Sequence, residues 1–207
     1  MAELRAPSRL AALLVPLALL APAAAHAEKV VTNDSVGDAQ VITTSFPPVG
    51  EQVVTTEPAP DETSVDITRT VVAHGDNRLR ITVRVRDLVL SSLPETYIRI
   101  VTPQQRYAVI AGRSPGSRAE AVLTRRGLEA DCRGLEARVD GTTDTVTVSL
   151  PTTCISSPRW VKVGAGIVRT DRSTEENPDG YVQYADDGHR DVVRENSLGL
   201  GPKVHRG

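Results

Sequence analysis

Residues 65–86, VDITRTVVAHGDNRLRITVRVR, decide the fold because apolar and polar side chains alternate along both halves of this stretch. Alternation with a period of two is typical of a β-strand that buries one face. The Gly75-Asp76-Asn77 turn signal separates the two halves, so the stretch is predicted to form a β-hairpin. The side chains predicted to point inward are Val65, Ile67, Val71, Ala73, Leu79, Ile81, Val83 and Val85.

The polar residues of the hairpin predict its register. If Ala73 pairs with Leu79, then Asp66 lies opposite Arg86, and opposite charges across two strands attract one another. His74 is expected on the outer, solvated face of the same hairpin.

Short alternating segments separated by Gly, Pro and Asp recur along the chain, whereas helical periodicity is hard to find. Many short strands of this kind predict an all-β fold, an antiparallel and jelly-roll-like β-sandwich. We expect one domain over residues 28–194, with the Pro-rich residues 46–60 as a surface loop and residues 195–207 as a flexible tail.

The N-terminal residues 1–27 have the pattern of a secretory signal peptide. Two arginines precede an apolar run over residues 10–24, and Ala25-His26-Ala27 is a small-x-small cleavage site. The run is shorter than the ~20 residues that a membrane-spanning helix needs. We therefore expect a secreted protein that starts at Glu28 and is not inserted into a membrane after cleavage.

The charge of the chain is nearly balanced, with 24 Lys and Arg against 26 Asp and Glu. A nucleic-acid partner would need a basic patch, so none is expected. Arg far outnumbers Lys, and Ala, Val, Gly and Pro are plentiful, which is typical of GC-rich bacteria such as actinobacteria.

Two cysteines, Cys132 and Cys154, lie in the part of the chain predicted to be exported. They lack the CxxC spacing and the neighbouring His of a metal or redox pair. One structural disulfide is therefore predicted, and it would stabilise the fold by roughly 3–3.5 kcal/mol in the chain-entropy model.

Sequence motifs for catalysis are weak, so a non-catalytic role is predicted. Residues 112–116 match GxSxG, but Pro115 has no N–H to donate to an oxyanion hole. His189 follows Asp186 and Asp187, although we expect its side chain on the solvated surface. The alternative is a secreted hydrolase that uses His189, with Asp186 or Asp187, at a site not visible in the sequence.

Acidic residues near predicted strand ends are candidate calcium ligands. Asp34 and Asp38 follow the first strand and Asp66 opens the main hairpin, while Asp179-Gly180 and Asp186-Asp187-Gly188 flank residues 181–184. Calcium prefers several carboxylate and carbonyl oxygens, so Asp34, Asp38 and Asp66 are the candidate metal ligands. Two alternatives remain open: these are turn residues, or Asp66 serves only to pair with Arg86.

Aromatic residues that could stack on a sugar are few. Trp160 and Lys162 are predicted to share the outer face of a strand whose Val161 and Val163 point inward. Trp160 and Lys162 are therefore the candidate ligand-binding residues. Trp160 could equally cap the open end of the sandwich.

The pattern Asp34-x-x-Gly37-Asp38, followed by VDI at residues 65–67 and by the alternating residues 79–85, resembles the start of family 9 carbohydrate-binding modules and DOMON-like sandwiches. It resembles even more the small secreted actinobacterial proteins of unknown function. The resemblance implies a β-sandwich that binds a sugar, often with calcium. Haem-binding relatives use a Met and a His as axial ligands, and the single Met here is Met1, so haem is not expected.

Together these features predict a secreted, non-catalytic binding or envelope-associated protein whose ligand is a glycan or a cell-wall component. A module that contacts other extracellular proteins through residues 46–60 is a further alternative.

Overall fold

A computed structural model describes residues 27–47, 49–90, 94–114, 116–171, 180–194 and 196–207. Residues 1–26 of the predicted signal peptide and the Pro115 of the GxSxG match lie outside the described residues. The described part of the chain contains fourteen strands and a single 3-10 turn, Thr152–Ile155, so the predicted all-β fold is confirmed. None of the helices in these residues is long and apolar enough to cross a membrane.

The strands are numbered in chain order. They are β1 Glu28–Asn33, β2 Gln40–Ser45, β3 Val53–Pro58, β4 Ile67–His74, β5 Arg78–Val85, β6 Glu95–Val101, β7 Arg106–Arg113, β8 Ala119–Arg125, β9 Leu128–Glu129, β10 Glu136–Asp140, β11 Thr145–Pro151, β12 Trp160–Asp171, β13 Tyr181–Asp187 and β14 Lys203–His205.

The strands form two antiparallel sheets that pack face to face as a β-sandwich. One sheet has five strands in the order β1-β4-β5-β11-β10. The other has nine, in the order β3-β2-β13-β12-β6-β7-β8-β9, with β14 beside the start of β12. The inner faces of both sheets supply the buried apolar core, whose members include Leu79, Ile81, Val148, Leu150, Ile98, Ile100, Val109, Val161 and Ile167.

The hairpin of β4 and β5 forms as predicted, but its register near the turn differs by one residue. His74, and not Ala73, pairs with Leu79. A β-bulge between Ile67 and Arg69 then shifts the register back by one residue.

The bulge also reverses which side chains of β4 point inward. Ile67 is buried as predicted, but Thr70, Val72 and His74 are the buried residues after the bulge, while Val71 and Ala73 are partly exposed. The predicted inward face was therefore wrong for this half of the strand. The prediction for β5 was right, because the side chains of Leu79, Ile81, Val83 and Val85 are all buried.

The burial of His74 is a second consequence of the bulge. Its side chain is fully buried and its Nδ1 lies 3.2 Å from the carbonyl oxygen of Val204. Burial lowers the pKa of His74. The expectation of a solvated His74 was wrong for the same reason as the predicted inward face.

The predicted disulfide between Cys132 and Cys154 is present. It joins the segment before β10 to the 3-10 turn after β11, and so closes the open end of the β10–β11 hairpin. A disulfide is compatible with an extracellular protein.

The predicted loop over residues 46–60 contains a strand. β3 pairs with β2 and forms one edge of the nine-stranded sheet, with every residue exposed. Its sequence VVTTEP begins with four β-branched residues, which favour extended backbone, and its proline stands at the strand end on the edge.

The predicted flexible tail is also different in the structure, where residues 196–207 pack along the nine-stranded sheet. β14 pairs with the start of β12, and Val204 is only 1% exposed. The N–H of Gly201 donates to the carbonyl oxygen of Val163.

The physical reason is the absence of side chains at Gly164 and Gly166 in β12. A Cβ at Gly164 would overlap the carbonyl oxygen of Gly199, and one at Gly166 would lie 2.7 Å from Cδ2 of Leu198. The two glycines thus make room for a segment whose own sequence is too polar and too rich in glycine to indicate a packed element.

Candidate metal centre

Three carboxylates meet where β1 and β13 end. Asp34 directly follows β1, Asp38 precedes β2, and Asp186 lies near the end of β13. One carboxylate oxygen from each of the three lies within 4.8 Å of the other two. We call these three residues the carboxylate cluster.

The turn that carries two of these carboxylates is fixed by its backbone. Gly37 has a φ of +83°, a conformation that glycine adopts without steric cost, and it lets the chain reverse between Asp34 and Asp38. The N–H of Asp34 donates to the carbonyl oxygen of Thr68 in β4 over 3.1 Å. The turn is therefore anchored to the five-stranded sheet.

Asp186 is held from the opposite side of the sandwich. Its side chain is 2% exposed, and both of its oxygens accept backbone hydrogen bonds of 2.7 Å, Oδ2 from Ile67 and Oδ1 from Asp187. Ile67 is the residue at the bulge in β4, so the bulge aims this N–H at the carboxylate. Asp186 is thus positioned by both sheets.

The other two carboxylates are not satisfied in this way. Oδ2 of Asp34 and both side-chain oxygens of Asp38 are buried without a hydrogen-bond partner. Burying a carboxylate oxygen without a donor is costly, so such oxygens call for a proton or a cation.

Asp66 borders the cluster without belonging to it. Its fully buried carboxylate accepts hydrogen bonds at Oδ2 from the N–H of Gly37, at 2.9 Å, and from Nη1 of Arg86, at 2.8 Å. The predicted pairing of Asp66 with Arg86 is therefore confirmed. Oδ1 of Asp66 is buried and has no partner. By accepting the N–H of Gly37, Asp66 supports the turn between Asp34 and Asp38, and its carboxylate adds negative charge beside that turn.

The structure thus brings together two of the three predicted ligands, Asp34 and Asp38, and places Asp186 in the third position instead of Asp66. In the sequence, Asp186 and Asp187 are a pair of aspartates before Gly188, next to the strand 181–184. That signal did not indicate which Asp of the pair would point toward residues 34–38.

The cluster shifts the pKa values of its members upward. Burial, and then the charge of Asp38, raise the pKa of Asp34 to about 7. Burial raises the pKa of Asp186 to about 8, with further contributions from the charges of Asp38 and Asp34. Burial also raises the pKa of Asp38. Three ionised carboxylates at this spacing therefore need a counter-charge.

His189 lies close to the cluster, in a polar cleft of about 530 Å³ that Asp34 also lines. Its ring is half-buried, and Nε2 is buried without a partner, so the expected solvated position was wrong. Burial lowers the pKa of this ring.

The carboxylates beside His189 do not orient its ring. Asp187 accepts the backbone N–H groups of His189, at 3.3 Å, and of Gly199, at 2.7 Å. The carboxylate of Asp186 likewise accepts hydrogen bonds from backbone N–H groups, those of Ile67 and Asp187. In the described residues, neither Asp therefore holds the imidazole as a hydrolytic triad requires.

The second predicted site is partly covered. Val161 and Val163 point inward as expected, and Trp160 and Lys162 lie on the outer face. Nζ of Lys203 in β14 lies 4.6 Å from the centre of the Trp160 ring, a cation–π contact. One face of the Trp160 ring is therefore covered by Lys203, and its role in ligand binding stays a prediction.

Comparison with models of known protein families and with curated proteins gave no match to this chain. The resemblance to carbohydrate-binding modules and to small secreted actinobacterial proteins stays a prediction. The fold and the site together define a disulfide-linked β-sandwich with a carboxylate cluster between its sheets.

Proposed function

We propose that this protein is an extracellular, calcium-binding β-sandwich that acts as a binding module for a glycan or cell-wall component and not as an enzyme. One observation carries the calcium assignment. Asp34, Asp38 and Asp186 each bring one carboxylate oxygen within 4.8 Å of the other two, and Asp34 and Asp38 both have buried oxygens without a hydrogen-bond partner.

The spacing of the cluster suits a single calcium ion. Calcium binds oxygen ligands at ~2.3–2.6 Å, so two ligands on opposite sides of one ion are roughly 4.6–5.2 Å apart. Three carboxylate oxygens within 4.8 Å of one another can therefore share one ion. The remaining coordination positions would be filled by water or main-chain carbonyl groups.

The position of the cluster explains what an ion would do. Asp34 extends from β1 of the five-stranded sheet, whereas Asp38 and Asp186 belong to the turn before β2 and to β13 of the nine-stranded sheet. An ion held by all three would join the two layers and neutralise their charge. The role of calcium is then structural, and the outer surfaces of the sheets remain for ligand binding.

Extracellular location is supported by the predicted signal peptide and by the disulfide between Cys132 and Cys154. Disulfides persist in oxidising compartments. Extracellular calcium modules commonly bind with dissociation constants of about 10⁻⁴–10⁻³ M, a range that a site of three carboxylates can reach.

Calorimetric titration of calcium into the chelator-treated protein tests this function. We expect one ion to bind and the melting temperature to rise in calcium. Asp38→Asn should abolish both effects because Asp38 offers two unpartnered oxygens. Asp76→Asn, at an exposed position in the β4–β5 turn, is the matched control and should keep both.

The contrary result is equally clear. A protein that takes up no calcium, and that melts at the same temperature in calcium and in chelator, has carboxylates that share protons instead of an ion. The calcium assignment would then be wrong.

A further inference from the structure

A groove with a volume of about 580 Å³ crosses the outer face of the nine-stranded sheet. Strands β6, β7, β12 and β13 contribute its floor, and residues 193, 194 and 196–198 form one wall. The carboxylate cluster does not explain this groove.

Four arginines line the groove, and each comes from a different part of the chain. They are Arg99 in β6, Arg106 at the start of β7, Arg126 after β8, and Arg194 in the wall. In the described part of the chain, none of the four guanidinium groups forms an ion pair or a hydrogen bond. In contrast, Arg86 and Arg169 are paired with carboxylates.

Negative charge is scarce along the groove. Of the described residues that line it, Asp186 alone is acidic, and its carboxylate accepts the N–H groups of Ile67 and Asp187. The whole chain has a net charge of −2, so the four arginines are a local concentration of positive charge. Such a surface is complementary to an anionic ligand.

The floor of the groove also offers an aromatic ring. Tyr97 lies beside Arg99 on the outer face of β6 and is half-buried. Its hydroxyl donates a hydrogen bond of 2.6 Å to Oε2 of Glu95, which fixes the ring. A fixed ring beside guanidinium groups suits a ligand that has both apolar sugar faces and negative charges.

The wall of the groove is held in place before any ligand binds. Nη1 of Arg190 donates to the carbonyl oxygen of Ser197 over 3.2 Å. The N–H of Ser197 donates to the carbonyl oxygen of Arg194, and Leu198 packs over Gly166. A wall that is already ordered loses little conformational freedom on binding.

We propose that this groove binds an acidic polysaccharide, with the carboxylates of uronic acid residues paired to the arginines and a sugar ring stacked on Tyr97. Guanidinium groups bind carboxylates through two parallel hydrogen bonds. The inference rests on the proposed glycan-binding role but not on the calcium ion, because none of the four arginines belongs to the carboxylate cluster.

Titration with polygalacturonate tests the proposal, with neutral dextran and polyphosphate as comparison polymers. We expect the protein to bind polygalacturonate, to ignore dextran, and to bind polyphosphate at least tenfold more weakly. The double variant Arg99→Gln/Arg126→Gln should weaken polygalacturonate binding at least tenfold. Tyr97→Leu should weaken it while leaving the charge unchanged.

The matched control is Arg80→Gln/Arg84→Gln. These arginines are exposed on β5 of the other sheet, so the control removes the same charge elsewhere. It should bind polygalacturonate as the wild type does. Melting curves of both double variants confirm that each is folded.

Three results would overturn the proposal. They are an equal loss in both double variants, polyphosphate binding as tight as polygalacturonate binding, and no binding of polygalacturonate by the wild type. Calcium titration of the same proteins, without polysaccharide, separates failure of the groove proposal from failure of the calcium assignment. A protein that binds calcium but not polygalacturonate would retain the cluster and lose only the proposed groove ligand.

Discussion

The backbone N–H of Ile67 donates a hydrogen bond of 2.7 Å to Oδ2 of Asp186, and this bond joins the two sheets beside the carboxylate cluster. The two residues are 119 positions apart in the chain. Asp186 therefore has a structural role even without a cation, whereas the unpartnered oxygens of Asp34 and Asp38 have none.

Asp186→Asn should destabilise the protein in chelator at about pH 4 by about 1–3 kcal/mol, the usual cost of leaving a buried donor unpaired. This pH lies near the ordinary carboxyl pKa of 3.8, so the raised pKa of Asp186 does not favour the amide there. An amide has one accepting oxygen, so it cannot satisfy both Ile67 and Asp187. Urea unfolding in chelator measures the loss. Asp76→Asn provides the reference, and an Asp186→Asn protein as stable as this control would mean that the two hydrogen bonds contribute little.

The β4–β5 hairpin shows which parts of a strand pairing can be predicted from local alternation in the sequence. Alternation along residues 78–85 predicted β5 correctly, because no irregularity interrupts that strand. In β4 the bulge inserts one residue and exchanges the two faces beyond it. The register error at the turn and the shift at the bulge cancel, so the predicted pair of Asp66 and Arg86 was still right.

The candidate site was predictable only where its residues are close in the chain. Asp34 and Asp38 share one turn whose glycine and aspartates are visible in the sequence. Asp186 joins them through pairing of β13 with β2, a contact between distant segments that no local pattern encodes. The C-terminal segment was missed for the same reason, since its binding surface is made by glycines in another strand.

Replacing both cysteines, Cys132→Ser/Cys154→Ser, should lower the free energy of unfolding by about 3 kcal/mol, because the bridge closes a loop across a separation of 22 residues. Urea unfolding of the oxidised wild type and of the variant measures the difference. Added reductant should destabilise the wild type toward the variant and leave the variant unchanged. A variant as stable as the oxidised wild type would contradict a stabilising role.

Stability in chelator should depend on pH through Asp34. Its pKa is about 7 in the folded protein and near the ordinary value of 3.8 in the unfolded chain. Between these values the unfolded chain loses a proton that the folded protein retains, so the contribution of Asp34 to stability falls as pH rises from about 4 to 7. Asp34→Asn removes this contribution, so the variant should gain stability relative to the wild type over the same range.

The comparison of the two proteins also cancels the titration of the two buried histidines. The pKa values of His74 and His189 are lowered, so these rings reduce stability as pH falls below about 6.5, in both proteins alike. In calcium the order of stability should reverse, so that the wild type is more stable than Asp34→Asn at pH 8. Melting curves from pH 4 to 8, with and without calcium, measure both effects. Parallel curves for the two proteins would refute the raised pKa of Asp34.

Gly164→Ala should release the C-terminal segment from the sheet. A Cβ at this position would overlap the carbonyl oxygen of Gly199 and lie 3.1 Å from Cβ of Leu198, so residues 196–201 must move. Overpacking of this kind typically costs about 1–3 kcal/mol. Hydrogen exchange should show faster exchange at the N–H of Gly201, which bonds to Val163 in the wild type.

Gly112→Ala is the matched control for this change. Gly112 also lies in the nine-stranded sheet, but a Cβ there would meet only Cγ of Glu95 at 3.8 Å, an ordinary contact. The control should therefore exchange at the wild-type rate. Because residues 196–198 belong to the groove wall, Gly164→Ala should also weaken polygalacturonate binding. Unchanged exchange at Gly201 in Gly164→Ala would mean that the segment is not held by contact with the glycines of β12.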